Sequence, residues 1–276
     1  MTYILYNPLA NGGHGDSGVK DVAEALREER PEVLDITALD TGAFFAARSP
    51  EDEIVLCGGD GTIHRLVNDL GGQAPAVPVY IWRFGTGNDF LRDTAAAGES
   101  RILLNDYMNN LPTAAVQGKE HRFLNGCSCG VDAVVCGMME ENRLAPKKSG
   151  YAITALRSFF NKYKPMSGRV TVDGVTREYD RIWMACAMNG HYQGGGMKFA
   201  PHQDRTGDTL TCMVWHDTGA LGTLVRFPFV IPGKHTGFSA CDMRVGREIV
   251  VELDAPTMLQ MDGEVMDGVT GYIARK

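Results

Sequence analysis

Residues 53–70 read EIVLCGGDGTIHRLVNDL, and this stretch decides the fold. It opens with a short apolar run typical of a buried strand, and apolar residues then recur at helical spacing from Ile63 to Leu70. A glycine-rich loop therefore leaves a strand and begins a helix. Glycines let a ligand approach the backbone, and the free N–H groups of a helix N-terminus favour a phosphate. The carboxylate of Asp60 suits that phosphate only where Mg²⁺ or a transferable proton is also present.

Strand and helix signals alternate over the first part of the chain. Strands are predicted at residues 3–6, 33–37, 53–57 and 77–82, and helices at 19–30, 41–48, 62–70 and 102–110. This rhythm predicts a mostly parallel sheet with helices on both faces. Further along, two helices are predicted at 133–143 and 151–163, and strands at 122–129, 169–172, 175–179, 182–188, 209–215, 249–253, 258–261 and 269–274. Asp173-Gly174 predicts a hairpin, and the strand spacing favours an antiparallel sandwich.

The fold class predicted is therefore α/β plus all-β. We expect a Rossmann-like α/β nucleotide-binding lobe at residues 1–112, a β-sandwich-rich substrate lobe at 113–276, and a cleft between them. A return of the extreme C-terminus to the first lobe is left open.

Composition narrows the class of function. The net charge of −7 argues against a nucleic-acid binder, which would carry a basic patch. The sequence has no apolar run long enough to span a membrane and no signal-peptide pattern at its start. Its seven cysteines are odd in number and scattered, which favours reduced thiols and a cytoplasmic location.

A second loop, residues 84–90 (FGTGNDF), follows the predicted strand 77–82. Thr86 and Asn88 can donate to a phosphate or a purine, and Asp89 can bind a metal or accept a proton. The alternative is an ordinary capped helix start. The carboxyl ends of neighbouring parallel strands meet at one edge, so the two loops are expected to converge there.

A third glycine-rich stretch, residues 13–18 (GHGDSG), fits the dinucleotide pattern G-x-G-x-x-G. Alone it would favour an NAD(P)-dependent oxidoreductase. However, the residues between Tyr6 and Gly13 separate it from its strand, whereas a Rossmann turn is normally tight. A flexible turn is the preferred interpretation, and the oxidoreductase stays an alternative.

Taken together, the motifs resemble those of the diacylglycerol kinase catalytic-domain family, which includes bacterial lipid kinases and sphingosine kinases. The matching segments are 6–8 (YNP), 58–62 (GGDGT), 85–90 (GTGNDF), 125–133 (NGCSCGVDA), 189–201 (NGHYQGGGMKFAP) and 262–264 (DGE). The GGDGT element alone is shared with NAD kinases, but the combination is much more specific.

The resemblance implies an ATP- and Mg²⁺-dependent kinase that phosphorylates a lipid hydroxyl, on a diacylglycerol-like or sphingoid acceptor, in phospholipid biosynthesis. The enzyme would meet its lipid at the membrane surface. Glu264 would take the proton of the acceptor hydroxyl, and Asp60 and Asp89 would help to place Mg²⁺ and the reacting groups. ATP would be bound by Asn7, Gly58, Gly59, Gly61, Thr62, Gly85, Thr86 and Asn88. From the residues alone, the favoured interpretation is that Asp262-Gly263 is simply a hairpin turn that leaves Glu264 on a solvated strand end; the resemblance reverses that preference.

Three departures from the family pattern keep alternatives open. The family usually has Asp-Gly where this chain has Gly207-Asp208, so Asp208 is a candidate metal ligand shifted by one residue. His64-Arg65 replaces the usual Asn-Glu, and Arg83 replaces the usual proline. A catalytically impaired nucleotide-binding regulatory protein and an NAD kinase remain alternatives. The acceptor lipid and the oligomeric state, including a homodimer, stay open.

Overall fold

The computed structural model describes residues 1–10, 15–83, 88–96, 99–143 and 163–276. The chain divides into two compact units, Met1–Leu111 and Pro112–Lys276. Each unit has its own sheet and its own apolar core.

The first unit is built on a five-stranded sheet. Its strands are β1 (Thr2–Tyr6), β2 (Glu32–Asp35), β3 (Glu53–Cys57), β4 (Val79–Trp82) and β5 (Arg101–Leu103), in the order β2-β1-β3-β4-β5. The first four are parallel, and β5 runs antiparallel to β4. The central strands β1 and β3 are almost fully buried, as expected when both faces of a parallel sheet are covered.

Five α-helices belong to the described part of this unit: α1 (Gly15–Ala25), α2 (Thr41–Ala46), α3 (Asp60–Asp69), α4 (Asp89–Thr94) and α5 (Asn105–Met108). Short 3-10 helices span Arg27–Glu29 and Ile36–Ala38. Helix α3 buries Ile63, Leu66 and Val67, which is the apolar face that the sequence spacing predicted.

The predicted α/β sheet is confirmed, but the helix expected at residues 102–110 is wrong in its first part. Ile102 pairs with Ile81 in the antiparallel β4–β5 ladder, and the helix begins only at Asn105. The side chain of Asn105 holds this corner by accepting from the Val79 N–H at 2.8 Å and donating to the Pro75 carbonyl at 2.9 Å. Pairing with a distant strand has overridden the local helical pattern.

The second unit is an antiparallel nine-stranded sheet. Its strands are β6 (Thr113–Val116), β7 (Lys119–Arg122), β8 (Gly126–Gly130), β9 (Met166–Val172), β10 (Val175–Met188), β11 (Leu210–His216), β12 (Cys241–Gly246), β13 (Glu248–Met261) and β14 (Glu264–Arg275). The helices described here are α6 (Val131–Arg143), α7 (Ala220–Arg226) and a 3-10 turn at Phe227–Val230. Strands β6, β7 and β12 and helix α7 were not predicted from the sequence.

Two long strands make this sheet fold around a core. The first half of β10 pairs with β9, and its second half pairs with β8 and β11. Likewise β13 pairs first with β9 and then with β8. Register shifts within β10 and β13 accommodate the bends, so the strands predicted at 175–179 and 182–188, and at 249–253 and 258–261, are in fact continuous. The all-β, sandwich-type lobe is thereby confirmed.

The hairpin prediction at Asp173-Gly174 is also correct, since both residues have positive φ, 47° and 80°. The strand predicted at 122–129 is interrupted, because β7 ends at Arg122 and β8 begins at Gly126. The helix predicted at 151–163 lies outside the described residues except for Tyr163. All seven cysteines are free, and six of them are buried.

Candidate active site

The carboxyl ends of β1, β3 and β4 lie at one edge of the first sheet because these strands are parallel. Asn7 follows β1 and ties two of these ends together. Its backbone N–H donates to the Cys57 carbonyl at 3.2 Å, and its side-chain amide donates to the Thr62 hydroxyl at 3.1 Å. Its side-chain oxygen accepts from the Leu9 N–H at 2.9 Å. Asn7 thus fixes the segment after β1 against the GGDGT loop.

The first two glycines of that loop serve different purposes. A Cβ placed on Gly58 would lie 2.4 Å from the Thr62 Cβ, so the fold itself requires a glycine there. Among the described residues, nothing lies within 4 Å of a Cβ placed on Gly59, and Gly59 has an ordinary extended backbone, φ −86° and ψ −173°. Gly59 lies at the N-terminus of α3, and a helix N-terminus favours an anion.

Asp60 joins the two glycine-rich loops. Its carboxylate accepts from the Asp89 N–H at 2.9 Å and from the Phe90 N–H at 3.0 Å, which are the first residues of α4. The carboxylate thereby caps a second helix, and negative charge at a helix N-terminus is stabilising. Asn88, just before α4, adopts a left-handed backbone with φ 50°, and Asp89 is buried.

The structure thus brings Asn7, Asp60, Thr62 and Asp89 together at one edge of the sheet. Gly61 lies in the first turn of α3. Gly85 and Thr86 lie outside the described residues, as do Gly13 and His14, whereas residues 15–18 of the stretch that suggested a dinucleotide site begin helix α1.

In the second unit, the hairpin between β13 and β14 carries residues 262–264. Asp262 and Gly263 have φ values of 49° and 96°, so they form the tight turn that was one of the two interpretations of this motif. Glu264 is the first residue of β14, and its side chain is exposed. Within the described part of the chain its carboxylate has no hydrogen bond or ion pair. It is therefore available to accept a proton.

Asp262 anchors this turn to the loop before β8. It is 6% exposed, and its carboxylate accepts from the backbone N–H groups of Leu124, Asn125 and Gly126 at 2.6, 2.8 and 3.2 Å. Three backbone donors on one carboxylate form a strong, charge-assisted cap. The motif 125–133 and the motif 262–264, far apart in sequence, are therefore in direct contact.

A buried polar network supports the same turn from behind. Gln260 accepts from the Gly263 N–H at 3.1 Å and donates to Asp132 at 3.2 Å. Asp132 also accepts from Ser128 at 3.0 Å and from Gln193 at 3.2 Å. Burial raises the pKa of the Asp132 carboxyl above its ordinary value, although these hydrogen bonds oppose the shift.

The loop at Leu124 also receives cationic side chains. Arg205 donates to the Leu124 carbonyl and, at 2.7 Å, to the Asn125 side-chain oxygen. Lys276 donates to Asn189 at 2.6 Å, and burial, together with the nearby charge of Arg205, lowers the pKa of Lys276 to about 8. Sequence reasoning placed Asp262 in the 262–264 motif and its turn without assigning it a role, and it did not single out Gln260, Arg205 or Lys276. The only local signal was the Asp-Gly turn at 262–263.

Asp208, the predicted metal ligand, is exposed and forms an ion pair with Arg247. Within the described residues no group of three His, Cys, Asp or Glu side chains is arranged to hold a metal ion. The metal role of Asp208 stays a prediction.

The described residues combine an α/β unit, which has the GGDGT loop at the carboxyl edge of its sheet, with an all-β unit. The model of the diacylglycerol kinase catalytic domain matches residues 1–116, and that of the YegS C-terminal NAD kinase beta sandwich-like domain matches residues 125–273. The chain belongs to the diacylglycerol kinase family and is a kinase.

Two relatives agree with this assignment. The chain is 24% identical over 238 residues to the Bacillus subtilis protein named "Putative lipid kinase YtlR", a match that covers 79% of this chain and 75% of that protein. It is 26% identical over 272 residues to diacylglycerol kinase 1 of Arabidopsis thaliana, covering 84% of this chain but only 37% of the plant protein.

The fold also matches a solved structure. A crystal structure described as a putative diacylglycerol kinase from Bacillus anthracis superposes with a TM-score of 0.68, at 20% identity, over 99% of this chain and 93% of that one. At this identity the likeness supports the fold. Among the described helices, none has the length and apolar character needed to cross a bilayer.

Proposed function

We propose that this protein transfers the γ-phosphate of ATP to the hydroxyl of a membrane lipid. The observation that carries the nucleotide part is the edge of the first sheet. There Asn7, the GGDGT loop and the N-terminus of α4 are held together by the Asn7–Thr62 and Asp60–Asp89 hydrogen bonds. Phosphoryl transfer depends mainly on positioning and on neutralising phosphate charge, and such a framework supplies positioning.

ATP is proposed at this edge because Gly59 lies at a helix N-terminus and no described residue lies within 4 Å of a Cβ placed on it. The proposed ATP contacts are Asn7, Gly58, Gly59, Gly61, Thr62, Gly85, Thr86 and Asn88. Mg²⁺ would neutralise the phosphate charge. Both Asp60 oxygens already accept backbone N–H groups, so Asp60 and Asp89 would contribute at most part of the metal shell. A partial protein shell suits Mg²⁺, which typically keeps several water ligands and binds one or two carboxylates together with substrate phosphates.

Glu264 is the proposed general base. It would accept the proton of the acceptor hydroxyl as the oxygen attacks the γ-phosphorus, while the bond to the leaving ADP breaks. Asp262 and Gln260 would act as positioning residues, because they hold the turn that carries Glu264.

A lipid-panel assay tests the proposal. Purified protein with radiolabelled ATP and Mg²⁺ is offered diacylglycerol, sphingosine and NAD in separate reactions. We expect labelled product with at least one lipid and none with NAD. Product with NAD alone would instead make the protein an NAD kinase. ATP binding without transfer to any acceptor would favour the regulatory alternative.

Two variants test the roles proposed for Glu264 and Gly59. Glu264→Gln should abolish turnover while ATP binding, measured by calorimetry, persists; full activity would remove Glu264 from the mechanism. Gly59→Ala should leave the unfolding midpoint unchanged, because its Cβ would meet none of the described residues. The same variant should weaken ATP binding if the phosphates approach the backbone at Gly59. Unchanged affinity would place the nucleotide elsewhere.

A further inference from the structure

Helix α7 and the turn after it present an unusual outer face. Leu221, Val225, Phe229 and Ile231 are 69%, 63%, 46% and 58% exposed. The first three are spaced by four residues and so lie along one side of the helix and its 3-10 extension. Outer faces of surface helices are normally polar, so a row of exposed aliphatic and aromatic side chains needs a physical explanation. We call these four residues the apolar stripe.

The opposite side of the same element is well packed. Thr223 and Val230 are fully buried, and Leu224 and Phe227 pack against a core cluster that contains Trp215 and Phe199. The stripe is therefore held in place by a fixed inner face.

The segment that carries the stripe contains charged residues of only one sign. Between Asp217 and Asp242 the sequence contains no acidic residue, although the whole chain has a net charge of −7. Arg226 and Lys234 lie within this interval and are both exposed. Lys198 approaches from the neighbouring segment, where its Cδ would lie 3.2 Å from a Cβ on Gly233. An apolar row whose own segment carries cations and no carboxylates is complementary to an anionic lipid surface.

The stripe is also attached to a motif of the kinase family. The Lys198 N–H donates to the Val230 carbonyl at 3.1 Å, and the buried His235 contacts the Phe199 carbonyl at 3.1 Å. Lys198 and Phe199 directly follow the glycine-rich turn at 193–197. A surface bound at the stripe would therefore be fixed relative to that turn.

We infer that the apolar stripe, with Arg226 and Lys234, is the surface by which the protein docks on an anionic bilayer. Docking brings the kinase to acceptors that stay embedded in lipid, so the inference rests on the lipid acceptor of the proposed function. A second copy is a poorer occupant. In a two-fold dimer formed through the stripe, Arg226 and Lys234 of one copy would lie close to the same cations of the other copy. The area that four side chains can bury also falls short of the roughly 800 Å² per partner that a standard interface buries.

Vesicle flotation without nucleotide tests the docking separately from catalysis. The probes are vesicles of phosphatidylcholine, alone or mixed with phosphatidylglycerol. The unchanged protein should bind the mixed vesicles at least about tenfold more tightly than vesicles of phosphatidylcholine alone, because each surface cation contributes about a fivefold gain. The double variant Leu221→Ser/Phe229→Ser should lose at least about tenfold in binding to both vesicles. Arg226→Gln/Lys234→Gln should lose about 25-fold on mixed vesicles only.

Matched controls come from the same unit. Val175 and Val245 are 62% and 64% exposed but lie outside the stripe, so Val175→Ser/Val245→Ser should bind as the unchanged protein does. Lys119→Gln, at another exposed cation, controls for the charge variant. Thermal unfolding midpoints establish that every variant is folded.

Several outcomes would overturn the inference. The first is that the wild-type protein does not float with mixed vesicles. The second is that Leu221→Ser/Phe229→Ser binds vesicles as well as Val175→Ser/Val245→Ser does. Sedimentation equilibrium that shows a dimer dissociated by Leu221→Ser/Phe229→Ser would assign the stripe to a second copy. Failure of docking with retained phosphorylation of a short-chain soluble acceptor would leave the proposed function intact. Docking without phosphorylation would overturn only the function.

Discussion

Replacing Asp262 should destabilise the second unit far more than replacing Asp173, the aspartate of another hairpin turn in the same unit. Its carboxylate serves three buried backbone N–H groups, those of Leu124, Asn125 and Gly126. Each buried donor left without an acceptor costs about 1–3 kcal/mol, and partial hydration lowers the sum. We therefore expect Asp262→Ala to lower the free energy of unfolding by about 4–6 kcal/mol. Asp262→Asn keeps one acceptor oxygen and tolerates the positive φ, so it should cost about 2 kcal/mol.

The chain offers a matched control at Asp173. This residue also precedes a glycine in a hairpin and has φ 47°, against 49° for Asp262. Its carboxylate accepts two backbone N–H groups, those of Arg247 and Glu248, each at 2.9 Å, but in an exposed setting. Asp173→Ala carries the same backbone strain without the buried donors, so it should cost about 1–2 kcal/mol.

Urea unfolding measures both costs. Trp82 lies in the first unit, whereas Trp183 and Trp215 are buried in the second, so a Trp82→Phe background makes tryptophan fluorescence specific for the second unit. A chain with two units can unfold in more than one step, so a two-state fit requires a signal that comes from the second unit alone. Equal losses for Asp262→Ala and Asp173→Ala would refute the role assigned to the buried donors.

Three further predictions concern other buried groups. Asp132→Asn should raise the free energy of unfolding near neutral pH by about 1 kcal/mol, because the buried carboxyl has no charged partner among the residues hydrogen-bonded to it. The pKa of Asp132 in the folded state is raised above 3.8, so the wild type loses stability as the pH rises through that pKa. The stability difference between Asp132→Asn and the wild type should therefore grow over the same pH range. A difference that is constant with pH would contradict this. Burial lowers the pKa of His235 below 6.5, so wild-type stability should fall as the pH drops through 6.5, and His235→Gln should flatten that part of the pH profile of the urea midpoint. Gly58→Ala should lower the thermal midpoint, at a cost of about 1–3 kcal/mol from the clash with Thr62, while Gly59→Ala leaves it unchanged; equal midpoints would show that the loop can relax.

Local patterns predicted the parts of the fold that depend on neighbours in sequence. The strand, loop and helix at residues 53–70 appear as expected because the apolar spacing, the glycines and the helix start lie within one short segment. The same reasoning failed at Ile102, where pairing with Ile81 on a distant strand decides the conformation. It also divided β10 in two, because the polar residues at its bend resemble a turn.

The candidate site was predictable only in part, for a similar reason. The motifs identified Asp60 and Glu264 as polar groups in glycine-rich turns. They did not show that Asp60 caps a second helix, or that Asp262 bonds to residues more than a hundred positions away. Such partners are chosen by the tertiary fold, so a single sequence carries no local sign of them.

The capping of α4 by Asp60 matters for the interpretation of loss-of-function alleles. Alanine at this position would release the Asp89 and Phe90 N–H groups and loosen both loops at once. Loss of activity in an Asp60→Ala allele would therefore follow equally from disruption of the loops and from loss of a carboxylate that takes part in the reaction. Asparagine, which keeps an acceptor while removing the charge, is the substitution that separates the two.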